Sequence, residues 1–191
     1  MEARLTTQRA STNGLVFSMP MTGGFTSGAT LYDESGGGFT GTAVNSPTPR
    51  YPGFYFDTSK YIDIGAGPAA VNTVLAWIKM DTAVGSSIAS VDLNGTDYIY
   101  NTDAILSYAG FAGGMVVRYI DGVSANTGLT TAWHMIGLTD TVAKNATDFD
   151  IGRLDANYFD GLISDVRLYN RVLSKEEILS IYSIQKYKYQ T

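Results

Sequence analysis

The sequence predicts one all-β domain built as a two-layer jelly-roll sandwich, and three observations predict it. Short apolar segments recur along most of the chain, and turns rich in Gly, Asn and Asp separate them. The composition, with 21 Gly, 13 Tyr and 8 Phe, suits short strands joined by tight turns better than a helical bundle. A length of 191 residues fits a single sandwich domain.

The strand predictions follow the apolar segments in order. The segment Thr73–Met80 is almost continuously apolar, which indicates a buried central strand, and Asp121-Gly122 is typical of a two-residue hairpin turn. The predicted strands are Leu15–Met19, Phe54–Phe56, Tyr61–Ile64, Thr73–Met80, Ser87–Val91, Tyr98–Tyr100, Ala104–Tyr108, Met115–Ile120, Trp133–Thr139, Phe149–Ile151 and Leu162–Tyr169.

One helix is predicted near the C-terminus. Ser174 and Glu177 have the spacing of a capping box, and an apolar stripe follows, made of Ile178, Leu179, Ile181 and Tyr182. We therefore divide the chain into an N-terminal arm (1–13), a jelly-roll domain (14–185) and a C-terminal tail (186–191).

Composition argues against several functions. The net charge is −5 and no basic stripe is present, so nucleic-acid binding is not expected. The absence of Cys excludes disulfides and thiolate metal sites, and a single histidine, His134, argues against a Ser-His-Asp triad or a multi-histidine zinc site. No apolar run is long enough to span a bilayer, so membrane insertion is not expected.

Glycoside hydrolysis with retention requires two carboxylates about 5–5.5 Å apart. The four glutamates lie outside the predicted sheet strands, and the one tight same-face Asp pair is Asp148 with Asp150, which we interpret as an exposed strand edge. The sequence therefore predicts no catalytic residue and a protein that is not an enzyme. A glycosidase that uses Asp148 or Asp150 is the alternative.

Carbohydrate binding is favoured by a segment that mixes aromatic and polar side chains. Tyr98 and Tyr100 are two residues apart and lie on one face of a strand, and Asn101 and Asp103 follow them. Tyr108 and Tyr119 are predicted as neighbours that complete the site. The alternative is that these tyrosines tile a sheet face, because aromatic residues are common in strands.

Several segments resemble the laminin-G-like, concanavalin A-like family. The strongest resemblance lies in residues 159–174, FDGLISDVRLYNRVLS, and weaker resemblances lie in Gly14–Phe17, Val74–Lys79 and Trp133–Met135. The resemblance implies a concanavalin A-like jelly roll with one short C-terminal helix, a fold shared by lectins, binding modules and glucan hydrolases. In the family, a hairpin with an Asp-Gly turn usually follows the Trp-His strand, whereas here Asp121-Gly122 precedes it.

The resemblance also implies one structural Ca²⁺ between the first and last strands, with Asp165 as its carboxylate ligand and backbone carbonyls as the others. The alternative is that Asp165 pairs with a nearby arginine such as Arg167.

The leading functional hypothesis is a phage virion surface protein, such as a head decoration, a neck protein or a tail-associated adhesin, that contacts host-surface glycans. It depends on a chain that starts at Met1 without a secretion leader. Residues 1–13 would dock it to capsid or tail proteins, and the oligomeric state is left open. The alternatives are a carbohydrate-binding module of a secreted, extracellular bacterial protein and a purely structural capsid cement protein.

Overall fold

The protein is described here from a computed structural model, which covers residues 12–21, 28–83 and 88–190. Its elements are β1 (Leu15–Met19), β2 (Thr30–Tyr32), β3 (Thr40–Val44), β4 (Thr48–Arg50), β5 (Gly53–Phe56), β6 (Tyr61–Gly65), β7 (Val71–Met80), β8 (Ile88–Asp92), β9 (Tyr98–Thr102), β10 (Ile105–Ala109), β11 (Val116–Ile120), β12 (Val123–Ser124), β13 (Trp133–Lys144), β14 (Phe149–Ile151), β15 (Arg153–Leu154), β16 (Asn157–Tyr158), β17 (Gly161–Tyr169), the helix α1 (Lys175–Gln185) and a 3₁₀ turn η1 (Lys186–Lys188).

Within the described residues, the strands form two large antiparallel sheets and one small hairpin, β15–β16. One sheet has the order β10-β9-β8-β14-β6-β3-β2, and we call it the open sheet. The other has the order β12-β11-β13-β7-β17-β5-β4, with β1 also paired to β17, and we call it the capped sheet. The predicted all-β sandwich with one short C-terminal helix is therefore confirmed.

The main core lies between the two sheets. Alternate residues of each strand face inward, and Phe17, Phe56, Ile62, Phe149 and Ile163 are all fully buried there. In the open sheet this alternation leaves Asp63, Asp92 and Asp150 on the outer face. What covers each outer face therefore decides which of them can meet a ligand.

The C-terminal segment covers the outer face of the capped sheet. The Trp77 ring stacks on Tyr189, with ring centroids 4.0 Å apart, and on Tyr182 at 5.7 Å. Trp77 Nε1 donates to Gln185 Oε1 (2.8 Å), and Tyr189 Oη donates to Ser164 Oγ (3.0 Å). These contacts include Tyr189 in the packing of the capped sheet.

The helix begins where the capping box predicts. The Ser174 side chain accepts a hydrogen bond from the Glu177 backbone N–H (3.2 Å), and the Glu177 carboxylate accepts one from the Ser174 backbone N–H (3.0 Å). Arg171 pairs with the same carboxylate, which fixes the approach of the chain to the helix.

The predicted strands all occur; two match at both ends, and the others differ at their ends by one to five residues. The Asp121-Gly122 turn joins β11 to β12, as predicted. The sequence did not predict β2, β3, β4, β12, β15 and β16, which are two to five residues long. Residues 1–11 of the predicted arm lie outside the described residues. Among the helices that the structure describes, none has the length and apolar character needed to cross a membrane.

Candidate functional site on the open sheet

A row of side chains crosses the outer face of the open sheet, and each of the seven strands in the order above contributes one. Residues paired directly across an antiparallel ladder place their side chains on the same face. The ladder pairs are Thr30 with Thr42, Thr42 with Asp63, Asp63 with Asp150, Asp150 with Asp92, Asp92 with Tyr98, and Tyr98 with Ala109. At about 4.8 Å per strand, the row is about 29 Å long. We call it the transverse row.

The transverse row faces outward because its neighbours along each strand are core residues. Ile62 precedes Asp63, and Phe149 and Ile151 flank Asp150; all three apolar side chains are fully buried between the sheets. Successive residues of a strand point to opposite faces, so the two aspartates point away from the core.

Asp150 lies at the centre of the row and pairs with Arg153. Arg153 Nε donates to Asp150 Oδ2 at 2.7 Å, and Arg153 Nη2 lies 2.6 Å from the same oxygen. The Asp150 side chain is only 3% exposed, and its Oδ1 is buried without a hydrogen-bond partner in the structure. Burial raises the pKa of Asp150 to about 6 against the lowering effect of Arg153, and the charges of Asp63 and Asp148 raise it further.

Arg153 also forms the centre of an aromatic cluster. Its guanidinium carbon lies 3.9 Å from the centroid of the Tyr61 ring, and the Tyr158 ring lies 6.2 Å from Tyr61. A guanidinium stacked on a tyrosine is held in one orientation and keeps its remaining N–H groups free of the ring. The β15–β16 hairpin, which carries Arg153 and Tyr158, thus adds a polar and aromatic cover beside Asp150.

Asp92 is the next aspartate in the row, and it organises the β8–β9 turn. Its Oδ1 accepts hydrogen bonds from the backbone N–H groups of Asn94 (3.1 Å) and Gly95 (2.8 Å). Burial raises the pKa of Asp92 although these two bonds lower it, and the charges of Asp148 and Asp155 add to the rise. The charged groups on this face therefore act on one another.

Tyr98 and Tyr100 lie together on this outer face, as the sequence predicts. Their ring centroids are 5.6 Å apart with an interplanar angle of 49°, and both side chains are half-buried. Asp103 is exposed in the turn that follows β9, where its φ is 47°. Asn101 points the other way, because its side chain is 3% exposed and its ladder partner Leu106 belongs to the core.

The other two predicted neighbours lie elsewhere, and this corrects the predicted cluster of four tyrosines. Tyr108 pairs with Ile99, so it faces the core side, where Arg118 lies over its ring. Tyr119 is 6% exposed on the capped sheet and packs in the cluster that includes Trp77. Strand register separates Tyr108 from Tyr98, because a shift of one position along a strand reverses the face. Tyr119 is separated because its strand belongs to the other sheet.

The prediction that Asp148 and Asp150 form an exposed strand edge is also wrong in part. The strand β14 lies inside the open sheet, between β8 and β6, and Asp150 is buried, whereas Asp148 is exposed. The position of β14 could not be inferred from its three residues alone.

For Asp165 the sequence left two alternatives, a Ca²⁺ ligand and an ion pair with Arg167. The structure contains the ion pair. Arg167 Nε donates to Asp165 Oδ1 (2.8 Å), and Arg167 Nη2 (3.2 Å) and the Gln185 amide donate to Oδ2. The structure therefore shows the arginine alternative, and a Ca²⁺ ion with Asp165 as its carboxylate ligand stays a prediction. In the part of the chain that the structure describes, no group of three or more His, Cys, Asp or Glu side chains could hold a metal ion.

Several residues of this face were not predicted as site residues from the sequence, namely Tyr61, Asp63, Asp92, Arg153 and Tyr158. A signal for the aspartates was present: Ile62-Asp63-Ile64, Val91-Asp92-Leu93 and Phe149-Asp150-Ile151 each place one aspartate between apolar residues. In a strand, this pattern puts the aspartate on the outer face.

Comparison with solved structures supports the fold assignment. Trypanosoma rangeli sialidase in complex with the inhibitor DANA matches with a TM-score of 0.62 and 15% identity over 95% of this chain, which corresponds to 34% of the sialidase. Domain 4 of AbnA, an extracellular arabinanase of Geobacillus stearothermophilus in complex with arabinotriose, matches with a TM-score of 0.50 and 12% identity over 88% of this chain and 98% of that domain. These likenesses show a shared β-sandwich fold.

Two further comparisons bear on this assignment. The binding domain of botulinum neurotoxin serotype D matches with a TM-score of 0.55 and 13% identity over 93% of this chain and 53% of that domain. A family model described as the concanavalin A-like lectin/glucanases superfamily, of the laminin-G type, matches residues 107–179. Among curated proteins, none matches this sequence. The chain spans about a third of the length of the sialidases that it matches.

Proposed function

We propose that the protein is a non-catalytic carbohydrate-binding module and that the outer face of its open sheet binds the glycan. The transverse row is the observation that carries the proposal. It places carboxylates between two groups of tyrosines, Tyr98 with Tyr100 on one side and Tyr61 with Tyr158 on the other.

This arrangement suits the chemistry of a sugar chain. The faces of a pyranose ring are apolar and contact aromatic rings, and the hydroxyl groups at its rim need hydrogen-bond acceptors and donors. Tyrosine supplies a ring and a hydroxyl, and Asp63 and Arg153 supply an exposed acceptor and a charged donor. The helix and the 3₁₀ turn pack on the outer face of the capped sheet and do not cover the open sheet.

Binding is favoured over hydrolysis because the central carboxylates are already engaged. Arg153 holds Asp150, and the backbone N–H groups of a turn hold Asp92. A general acid and a nucleophile each need a carboxyl group that reaches the scissile bond. Arabinotriose bound to the arabinanase domain, which shares this fold, agrees with a binding role.

We expect the double variant Tyr98→Ala/Tyr100→Ala to lose binding to its glycan by at least about tenfold, because aromatic contacts dominate the energy of such interfaces. The measurement is calorimetric titration with the oligosaccharide that wild-type protein selects on a glycan array. Tyr187→Ala is the matched control, since Tyr187 is 71% exposed and lies in the C-terminal 3₁₀ turn.

Equal losses in the double variant and in Tyr187→Ala would place the binding surface elsewhere. A blank array for wild-type protein would refute carbohydrate binding and favour a purely structural role.

The biological setting is a second part of the proposal. We propose that this glycan-binding module lies on a virion surface. The alternative is that it is one module of a secreted bacterial protein. Neighbouring capsid or tail genes would support the first, and an open reading frame continuous with a secreted enzyme or adhesin would support the second.

A further inference from the structure

Three aspartates of the transverse row lie on adjacent strands, because Asp63 pairs with Asp150 and Asp150 pairs with Asp92. The charges of Asp63 and Asp148 act on Asp150, and those of Asp148 and Asp155 act on Asp92. Among the described residues, Arg153 forms an ion pair with the row, and its charge is matched by Asp150. The face therefore has an excess of negative charge beside the tyrosines.

One carboxylate oxygen of the transverse row is buried without a hydrogen-bond partner. Asp150 Oδ1 is buried without a partner, although a buried acceptor normally has one. Because this oxygen is buried, it acts on a ligand through its charge and not through direct contact, and an anion on the face meets its repulsion. Both features disfavour an anionic ligand.

We infer that the outer face of the open sheet selects glycans that are neutral or carry amino groups, and rejects glycans that carry carboxylate or sulfate groups. The inference rests on the proposed carbohydrate-binding function and adds a ligand class to it. Hydroxyl and ammonium groups are hydrogen-bond donors and suit the carboxylates of the row. Anionic groups of a glycan are repelled by Asp63, Asp148 and Asp155, which are all exposed.

The test uses an array of neutral oligomers of glucose, galactose, mannose and arabinose, together with the same oligomers bearing uronate or sulfate groups. Chitosan and chitin oligomers form the amine-bearing and neutral pair. At low salt we expect at least a tenfold preference for each bound neutral oligomer over its anionic form, and chitosan to bind at least as tightly as chitin. The preference should shrink in 1 M NaCl, because salt screens these charges.

The variant Asp148→Asn/Asp155→Asn removes two exposed charges with little change of shape. We expect it to bind the anionic oligomers about tenfold more tightly than wild type does at low salt. Glu34→Gln/Glu176→Gln is the control, because it changes the net charge equally at two exposed positions outside the row and should not produce this gain.

The outcomes separate the two proposals. Neutral and anionic oligomers bound equally well at low salt would overturn the charge selectivity and leave carbohydrate binding intact. An equal gain in both double variants would assign the effect to net charge and overturn the role of this face. No binding to any oligomer would overturn both proposals.

Discussion

Replacement of Arg153 by alanine is expected to lower the free energy of unfolding by about 3 kcal/mol at pH 7.5. The variant leaves the buried Asp150 carboxylate without its cation, and an unpaired buried charge is strongly destabilising. It also removes the guanidinium from the Tyr61 ring. The measurement is chemical denaturation of both proteins across a series of pH values.

The pH series identifies the cause of the loss. The pKa of Asp150 in the folded protein is raised to about 6, so its charged form is disfavoured by folding and its protonation below pH 6 relieves the penalty. Loss of Arg153 raises this pKa further. The cost of the variant should therefore be full at pH 7.5 and shrink as the pH falls toward 5.

Two further variants complete this test. Arg153→Ala/Asp150→Asn should recover part of the loss, because no buried charge remains. Arg50→Ala is the matched control, since Arg50 lies 4.1 Å from the Tyr55 ring and is exposed. A cost for Arg153→Ala that equals that of Arg50→Ala, or that does not depend on pH, would contradict the central role of the Arg153–Asp150 pair.

Trp77→Ala is expected to lower the free energy of unfolding by about 3–5 kcal/mol, the range for removal of a large buried aromatic side chain. Trp77 is 2% exposed and contacts the C-terminal segment through Tyr182, Gln185 and Tyr189. Loss of the indole should also loosen this segment, so tryptic cleavage after Lys186 and Lys188 should become faster.

Trp77→Phe separates packing from hydrogen bonding at this position. It keeps an aromatic ring for Tyr189 and loses the Nε1 hydrogen bond to Gln185, so its cost should be smaller, about 1–2 kcal/mol. Equal protection of Lys186 and Lys188 in wild type and Trp77→Ala would show that the segment does not depend on Trp77.

The local signals in the sequence predict the fold class and most of its elements. Apolar alternation locates the long strands, Asp121-Gly122 locates a hairpin, and Ser174 with Glu177 locates the start of the helix. Each signal lies within a few residues and reflects an interaction made within the same segment. The short strands β2, β3 and β4 lack such a signal, because only their neighbours in the sheet hold them extended.

The site is predicted in part for a related reason. Tyr98 and Tyr100 share a face because they are two residues apart, which any strand guarantees. Asp63, Asp92 and Asp150 meet because three strands far apart in sequence lie side by side, and register of that kind depends on tertiary packing. The sequence predicts Tyr119 as a neighbour of Tyr98, but no local pattern shows which sheet each strand joins. Tyr119 lies on the capped sheet and Tyr98 on the open sheet.

Amide chemical-shift mapping tests the central claim most directly. The ¹⁵N-labelled protein is titrated with the neutral oligosaccharide that binds most tightly on the array. We predict saturable shifts centred on β9, β8, β14 and β6, with the largest changes near Tyr98 and Asp150. Shifts confined to α1 and the capped sheet would contradict a glycan-binding face on the open sheet.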